Sequence, residues 1–303
     1  MLVLLAAMCL AACSGGSSPA PTGAPTPGTA EGPVTATLVG AGDIAACDQG
    51  PVSATAAAAT AALVAGVPGT VFTAGDDAYE SGTPAQFSDC YDPTWGEFKV
   101  RTLLPSAGNH DFETSGGAGY FDYFGPRAGT PGEGWYSTDI GGWHVVVLNS
   151  NCEIVGCGPG SPQLTWLATD LAAHPVACTL AIWHHPLFSS GFHRDDSAVA
   201  PFWAVLSTAH ADLVINGHDH DYERFAPQDQ TGRFDPILGI REIVVGTGGA
   251  PLRAFGAVQP NREAADATSH GVIVLTLHTA GYDWRFVPVA GKTFTDSGSA
   301  TCH

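Results

Sequence analysis

Five times between residues 35 and 220, an apolar run or a short segment broken by Pro and Gly ends in side chains that bind metals or move protons. These ends are Asp43, Asp76, Asn109 with His110, His184, and His218 with His220. No other feature constrains the fold as much, because in an α/β protein the ligands collect beyond the carboxyl ends of the strands. Strands are expected at 35–45, 69–74, 143–149, 179–183 and 212–216. Helical stretches lie between them. Residues 54–65 are Ala-rich with no internal Gly or Pro. Ser161 and Pro162 supply an N-cap and a first-turn proline for a helix to about residue 173. Residues 197–211 read as a third helix. The rhythm then changes: 241–245, 271–278 and 282–289 follow one another with no helix between them, the last two as a hairpin. This pattern is α/β (α+β), a sandwich of sheets covered by helices, with residues 34–303 as one domain.

With Tyr79, three residues after Asp76, the site set comprises two carboxylates, one amide, three imidazoles and one phenol. If one carboxylate bridges two ions, seven groups make eight bonds, four for each of two cations. Paired cations about 3.5–4 Å apart clamp the attacking and leaving oxygens of an in-line displacement. On chemistry alone, metal-dependent phosphoester hydrolysis is expected.

Charge bears on which phosphates are eligible. Only 13% of the 303 residues are charged, yet 29 are acidic against 11 basic, a net of −18. So few cations cannot line a track for a phosphate polymer, which excludes nucleic acid and anionic lipid as electrostatic partners. A small phosphoester needs only a cationic point, and two metals would invert the field locally. The remaining acidity is expected to be solvated surface. Six cysteines in the body of the chain, an even number behind an export-type N-terminus, indicate disulfides. The expected pairs are Cys47–Cys90, Cys152–Cys157 and Cys178–Cys302, the middle one spanning four intervening residues. A structural zinc site would favour C-x₂-C spacing, which is absent from the sequence.

Five motifs carry a family resemblance: Gly42-Asp43, Gly75-Asp76-Asp77-Ala78-Tyr79, Gly108-Asn109-His110-Asp111, His184-His185-Pro186, and Gly217-His218-Asp219-His220-Asp221-Tyr222-Glu223-Arg224. In this order they resemble the calcineurin-like metallophosphoesterases and, within them, the purple acid phosphatases. The resemblance implies a four-layer α/β/β/α sandwich of two mixed sheets, with a dinuclear site at the C-terminal strand edge and the β-rich remainder as the second sheet. It implies Asp43, Tyr79 and His220 on one metal, Asn109, His184 and His218 on the other, and Asp76 bridging. His110 is then the outer-sphere acid or substrate clamp, and His193, on spacing alone, faces the substrate phosphate. Many superfamily members carry D-x-H at the first motif, where this chain has Asp43-Ile44-Ala45. Tyr79 takes the place of that imidazole. A phenolate is a hard anionic donor, so Fe(III) is expected at the first position, and Zn(II), Fe(II) or Mn(II) at the second. The implied activity is an acid phosphatase hydrolysing phosphomonoesters through attack by a metal-bound hydroxide. Alternatives are a phosphodiesterase or nucleotidase on the same scaffold, or an inert lipoprotein binding phosphate or a partner.

Residues 1–12 form an uncharged apolar run too short to span a membrane. With Leu10-Ala11-Ala12-Cys13 it resembles a bacterial lipobox, implying cleavage before Cys13, lipidation of its sulfur, and a place at the cell envelope surface or periplasmic face. The missing basic segment is consistent with a truncated start, and an ordinary secretory signal is the alternative. Residues 14–33, with five Pro and five Gly, read as a flexible tether. Contact with the membrane is then confined to the lipid. Other residues have plainer expected roles. Asp77 and His185 are expected in turns or behind the ligands. Asp111, Asp219 and Asp221 are expected either to orient ligand histidines or to cap loops. Gly246-x-Gly248-Gly249 is expected to form a tight turn near the metal edge rather than a dinucleotide loop, since no helix follows it.

Overall fold

A computed structural model describes residues 32–303. The apolar run 1–12, Cys13 and residues 14–31 of the tether lie outside the described residues. Thirteen strands form two mixed sheets. The first contains β1 (Val34–Ala41), β2 (Thr70–Thr73), β3 (Thr102–Leu104), β11 (Gly271–His278), β12 (Gly281–Pro288) and β13 (Ser297–Thr301), in the order β13-β12-β11-β1-β2-β3. The second contains β4 (Tyr136–Ile140), β5 (Trp143–Val147), β6 (Thr179–Ile182), β7 (Leu213–Asn216), β8 (Tyr222–Phe225), β9 (Arg241–Val245) and β10 (Arg262–Asp266), in the order β10-β8-β9-β7-β6-β5-β4. Strands β1, β2 and β3 run parallel, as do β5, β6, β7 and β9.

Alternation along the parallel strands builds the layers. On β5, Val145 and Val147 face the core shared with the first sheet, whereas Val146 faces outward. Leu180 and Ile182 against Ala181, and Leu213 and Ile215 against Val214, repeat this on β6 and β7. The outward face is covered by α4 (Pro162–Ala173) and α5 (Ala200–Thr208), through Leu167, Phe202 and Trp203. Helix α1 (Ala56–Ala65) packs on the first sheet against β11. The layers are therefore α/β/β/α. Two shorter helices, α2 (Asn109–Glu113) and α3 (Ala118–Phe124), follow β3.

The sequence reading requires three corrections. The β-rich end does not form a sheet of its own. β9 pairs in parallel with β7, whereas β11 pairs antiparallel with β1, so the end is shared between both sheets. The first strand stops at Ala41 because Asp43 turns the backbone to φ 59°. The third helix is a short 3₁₀ turn, Ser197–Val199, followed by α5, which ends at Thr208.

All three expected disulfides are present: Cys47–Cys90, Cys152–Cys157 and Cys178–Cys302. The last joins the residue before β6 to the residue after β13 and thereby crosslinks the two sheets.

Candidate metal centre

The five loops meet at one edge. Asp43 follows β1, Asp76 follows β2, Asn109 and His110 begin the helix after β3, His184 follows β6, and His218 and His220 follow β7. Within each sheet the strands concerned run parallel to one another, so their C-terminal ends share an edge. Asp43, Asp76 and His218 take left-handed backbone conformations, with φ of 59°, 54° and 69°. Such strain in non-glycine residues concentrates at functional sites.

The polar atoms converge closely. Tyr79 Oη lies 2.8 Å from Asp43 Oδ1, 3.0 Å from Asp76 Oδ2 and 3.1 Å from His220 Nε2. His184 Nε2 is 3.2 Å from Asp76 Oδ2 and 3.2 Å from His218 Nδ1. Backbone donors hold the carboxylates: His218 N–H donates to Asp43 Oδ2 at 2.8 Å, and His110 N–H to Asp76 Oδ1 at 2.9 Å. The far nitrogens of two imidazoles donate to backbone carbonyls, His184 Nδ1 to Ala74 O and His220 Nδ1 to Pro251 O, each at 2.8 Å. Their Nε2 lone pairs are thereby aimed into the cluster.

This donor set fits a cation. Tyr79 has one hydrogen for three acceptors, and Asn109 Oδ1 is buried without a hydrogen-bond partner. Burial pushes the Tyr79 phenol well above its ordinary pKa, and Asp43 and Asp76 push it further. A phenolate there requires a strong neighbouring positive charge. Burial opposes a charge on His184, but Asp76 and Asp43 outweigh it and raise its pKa to about 9. Burial alone would raise Asp76; His184, His110 and His218 hold it below the usual carboxylate range.

Two further sequence candidates border this cluster. The His110 ring is 4.5 Å from that of Tyr79; its Nε2 is 3.9 Å from Asp76 Oδ2 and its Nδ1 donates to Glu80 O at 2.5 Å. The His193 ring is 4.4 Å from His218 and 6.4 Å from His220. His185 lies behind the ligands, its ring tilted by 50° and 4.3 Å from that of His218, with its Nδ1 on Ser150 Oγ at 2.7 Å.

Asp111 and Asp219 cap loops rather than orient histidine rings. Asp111 accepts from the Gly108 and Asp77 amides, and Asp219 from the His193 amide. The expectation of solvated acidity holds for most of the acidic residues but not for all. Besides the ligands Asp43 and Asp76, Asp77, Asp111, Asp212, Asp219, Asp221, Glu223 and Glu242 are buried, several of them around this edge. The glycine turn does lie there, as Gly248 N–H donates to Gly42 O at 2.9 Å. The sequence reading passed over Arg253, whose amide donates to His220 O at 3.1 Å. It belongs to no motif.

A cleft of about 430 Å³ opens beside Asn109 and His185, lined also by Phe112, Ile154, Glu113, Glu153 and Asp196. Gly108 marks how tightly this side is built. A Cβ there would collide with Asp76 Oδ1 and the Asp76 backbone nitrogen. Gly108→Ala is therefore expected to displace Asp76 and lower turnover on the order of 10²-fold. Kinetics on the folded variant, verified by circular dichroism, check this; turnover near the wild-type value would refute it.

Comparison with known proteins agrees with this geometry. Residues 41–222 match the family model for calcineurin-like phosphoesterases. Purple acid phosphatase 1 of Ipomoea batatas is 28% identical over 171 residues, covering 50% of this chain and 35% of that protein. Purple acid phosphatase 15 of Arabidopsis thaliana is 28% identical over 195 residues, covering 57% and 36%. The matches thus take in about a third of those relatives' length. Among solved structures, the purple acid phosphatase PPD1 of yellow lupin (Lupinus luteus) superposes with a TM-score of 0.69 at 19% identity, over 91% of this chain and 55% of that one. GAP50, described as the anchor in the inner membrane complex of Plasmodium, superposes with a TM-score of 0.66 at 14% identity, over 89% and 90%. These two likenesses establish the fold, and the family model, which spans every strand end from Asp43 to His220, establishes descent: the chain belongs to the calcineurin-like phosphoesterase family.

Proposed function

We propose that the chain is a metal-dependent phosphatase of small phosphomonoesters. The observation that carries this reading is Tyr79 Oη within 3.1 Å of Asp43, Asp76 and His220, beside His184 and His218. Asp43, Tyr79 and His220 would hold one cation, Asn109, His184 and His218 a second, and Asp76 both. When bound, the pair supplies Lewis-acid polarisation of a phosphoryl oxygen and activation of water. The phenol argues for Fe(III) at the first position, and the imidazoles and amide for Zn(II), Fe(II) or Mn(II) at the second.

The protein's own groups supply orientation and protons. The Ala74 and Pro251 carbonyls fix the His184 and His220 rings, and the His110 amide fixes Asp76. Because His110 Nδ1 donates to Glu80 O, its Nε2 is the ring atom left free to exchange a proton with the site, and with both ring nitrogens protonated it can protonate the leaving oxygen. Glu113, Glu153 and Asp196 around the cleft repel polyanionic leaving groups, which favours a small monoester over a nucleotide or polymer. The disulfides support export to an oxidising compartment. No helix among the described residues is long and apolar enough to cross a membrane. Lipidation at Cys13 is the proposed attachment, and mass spectrometry of the mature N-terminus checks it.

The deciding experiment is turnover of an aryl phosphate monoester against the corresponding diester, with elemental analysis of the same preparation. Monoester hydrolysis with two metals per chain is expected. Exclusive diester turnover would make the protein a phosphodiesterase. Full metal without any hydrolysis would favour a binding role, which the anchor GAP50 shows this fold can serve. Tyr79→Phe is expected to abolish a visible phenolate-to-iron absorption band and lower turnover on the order of 10²-fold. A colourless wild type retaining activity would overturn the iron assignment.

A further inference from the structure

Beyond β9 the chain folds back over the centre and is fastened to His220 twice, Pro251 O accepting from His220 Nδ1 at 2.8 Å and Arg253 N–H donating to His220 O at 3.1 Å. This double attachment fixes where the Arg253 side chain starts. Its guanidinium lies 5.0 Å above the Phe192 ring, and Nη1 donates to His193 Nε2 at 2.9 Å. Arg224, Arg241 and Arg262 are each paired with carboxylates, whereas no carboxylate among the described residues lies within salt-bridge distance of Arg253. Arg101, Arg127, Arg194 and Arg285 also lack a carboxylate partner among the described residues, but of these arginines Arg253 is the one that donates to a ring beside the centre. The ring it holds, His193, is 4.4 Å from the His218 ring.

We propose that Arg253 is a substrate-binding residue: its guanidinium takes the outer oxygens of the phosphoryl group, with His193 as its companion donor. The inference rests on the phosphoester reading above and adds the residue that recognises the anion. An arginine has five N–H donors in a planar fork, and only one is spent on His193. Those remaining match two oxygens of one phosphate. Because Nη1 can only donate, His193 Nε2 must accept, which leaves the ring proton on Nδ1 and makes that nitrogen the donor His193 can offer. Phe192 supports the guanidinium from below and keeps the cation at the rim of the site. The cation also offsets, at close range, the repulsion that the acidic body exerts on an approaching anion.

The test is Arg253→Gln, which keeps a donor for His193 and removes the charge. Affinity for inorganic phosphate is measured by calorimetry on the metal-loaded protein as purified, alongside KM and kcat for the monoester. Phosphate affinity is expected to fall on the order of 10-fold, with the kinetic loss falling mainly on KM. Arg253→Lys, retaining charge without the fork, is expected to recover part of it. Phosphate affinity unchanged within about twofold, or a loss confined to kcat, would overturn the proposal and leave Arg253 only as a support for His220. Absence of phosphate binding by the wild type would overturn it too. A wild type that binds phosphate but hydrolyses no ester refutes the enzymatic reading alone, and the calorimetric comparison still decides Arg253.

Discussion

Asp76→Asn is expected to lower phosphomonoester turnover by about 10³-fold or more and to reduce bound metal from two ions to one or none. Asparagine preserves the shape of the side chain and its bond from the His110 amide, so the folded structure should persist. It removes the charge from the group that joins both halves of the centre. Asp76 Oδ2 lies 3.0 Å from Tyr79 Oη on one side and 3.2 Å from His184 Nε2 on the other. An amide nitrogen in that place is a donor facing groups that must themselves be ligands. Steady-state kinetics, elemental analysis and a melting curve on one preparation separate loss of the centre from loss of the fold. Turnover within about tenfold of wild type, with two ions retained, would remove Asp76 from the bridging position.

The second large effect concerns stability. The Cys178–Cys302 bridge closes a separation of 124 residues, with a Cα–Cα distance of 5.4 Å, and ties one sheet to the other. Loop-closure entropy for a ring of this length corresponds to roughly 4–5 kcal/mol. Cys178→Ala with Cys302→Ala is therefore expected to lower the melting temperature by about 10 °C. Catalytic constants should remain close to wild type, because the bridge sits at the start of β6, whereas the centre follows its end. Thermal denaturation of the double variant is the measurement. A melting temperature within about 2 °C of wild type would mean that sheet packing alone fixes the denatured-state balance.

Which strands were legible follows from their place in the sheets. Eight apolar runs were readable, and they are the buried strands, including Trp143–Val147 and Leu213–Asn216, buried throughout. Thr102–Leu104, Tyr136–Ile140, Arg262–Asp266 and Ser297–Thr301 escaped, and they are the four edge strands. An edge strand exposes backbone and side chains to water, so Tyr136–Ile140, Arg262–Asp266 and Ser297–Thr301 carry polar residues instead of an apolar run, whereas Thr102–Leu104 is only three residues long and too short to read as one. Tyr222–Phe225 escaped because it reads as part of the histidine motif.

The centre shows the same division. The kinds of donor, their order along the chain and the short-range pair Cys152–Cys157 were present in the sequence, because side-chain chemistry and local spacing are written there directly; the two long-range disulfides are only one of the connectivities that six cysteines allow. Three things were decided only by the tertiary structure. The histidine rings are held by the carbonyls of Ala74 and Pro251, atoms every residue possesses and no motif reveals. Asp111 and Asp219 serve backbone amides instead, and a minority of the acidic residues, Asp77 and Asp221 among them, is buried near the site rather than solvated. Arg253 stands beside His193 although 60 residues separate them. Composition and spacing can list the groups a chain brings to a reaction; only folding, by setting which backbone atoms and distant side chains become neighbours, decides how those groups are aimed.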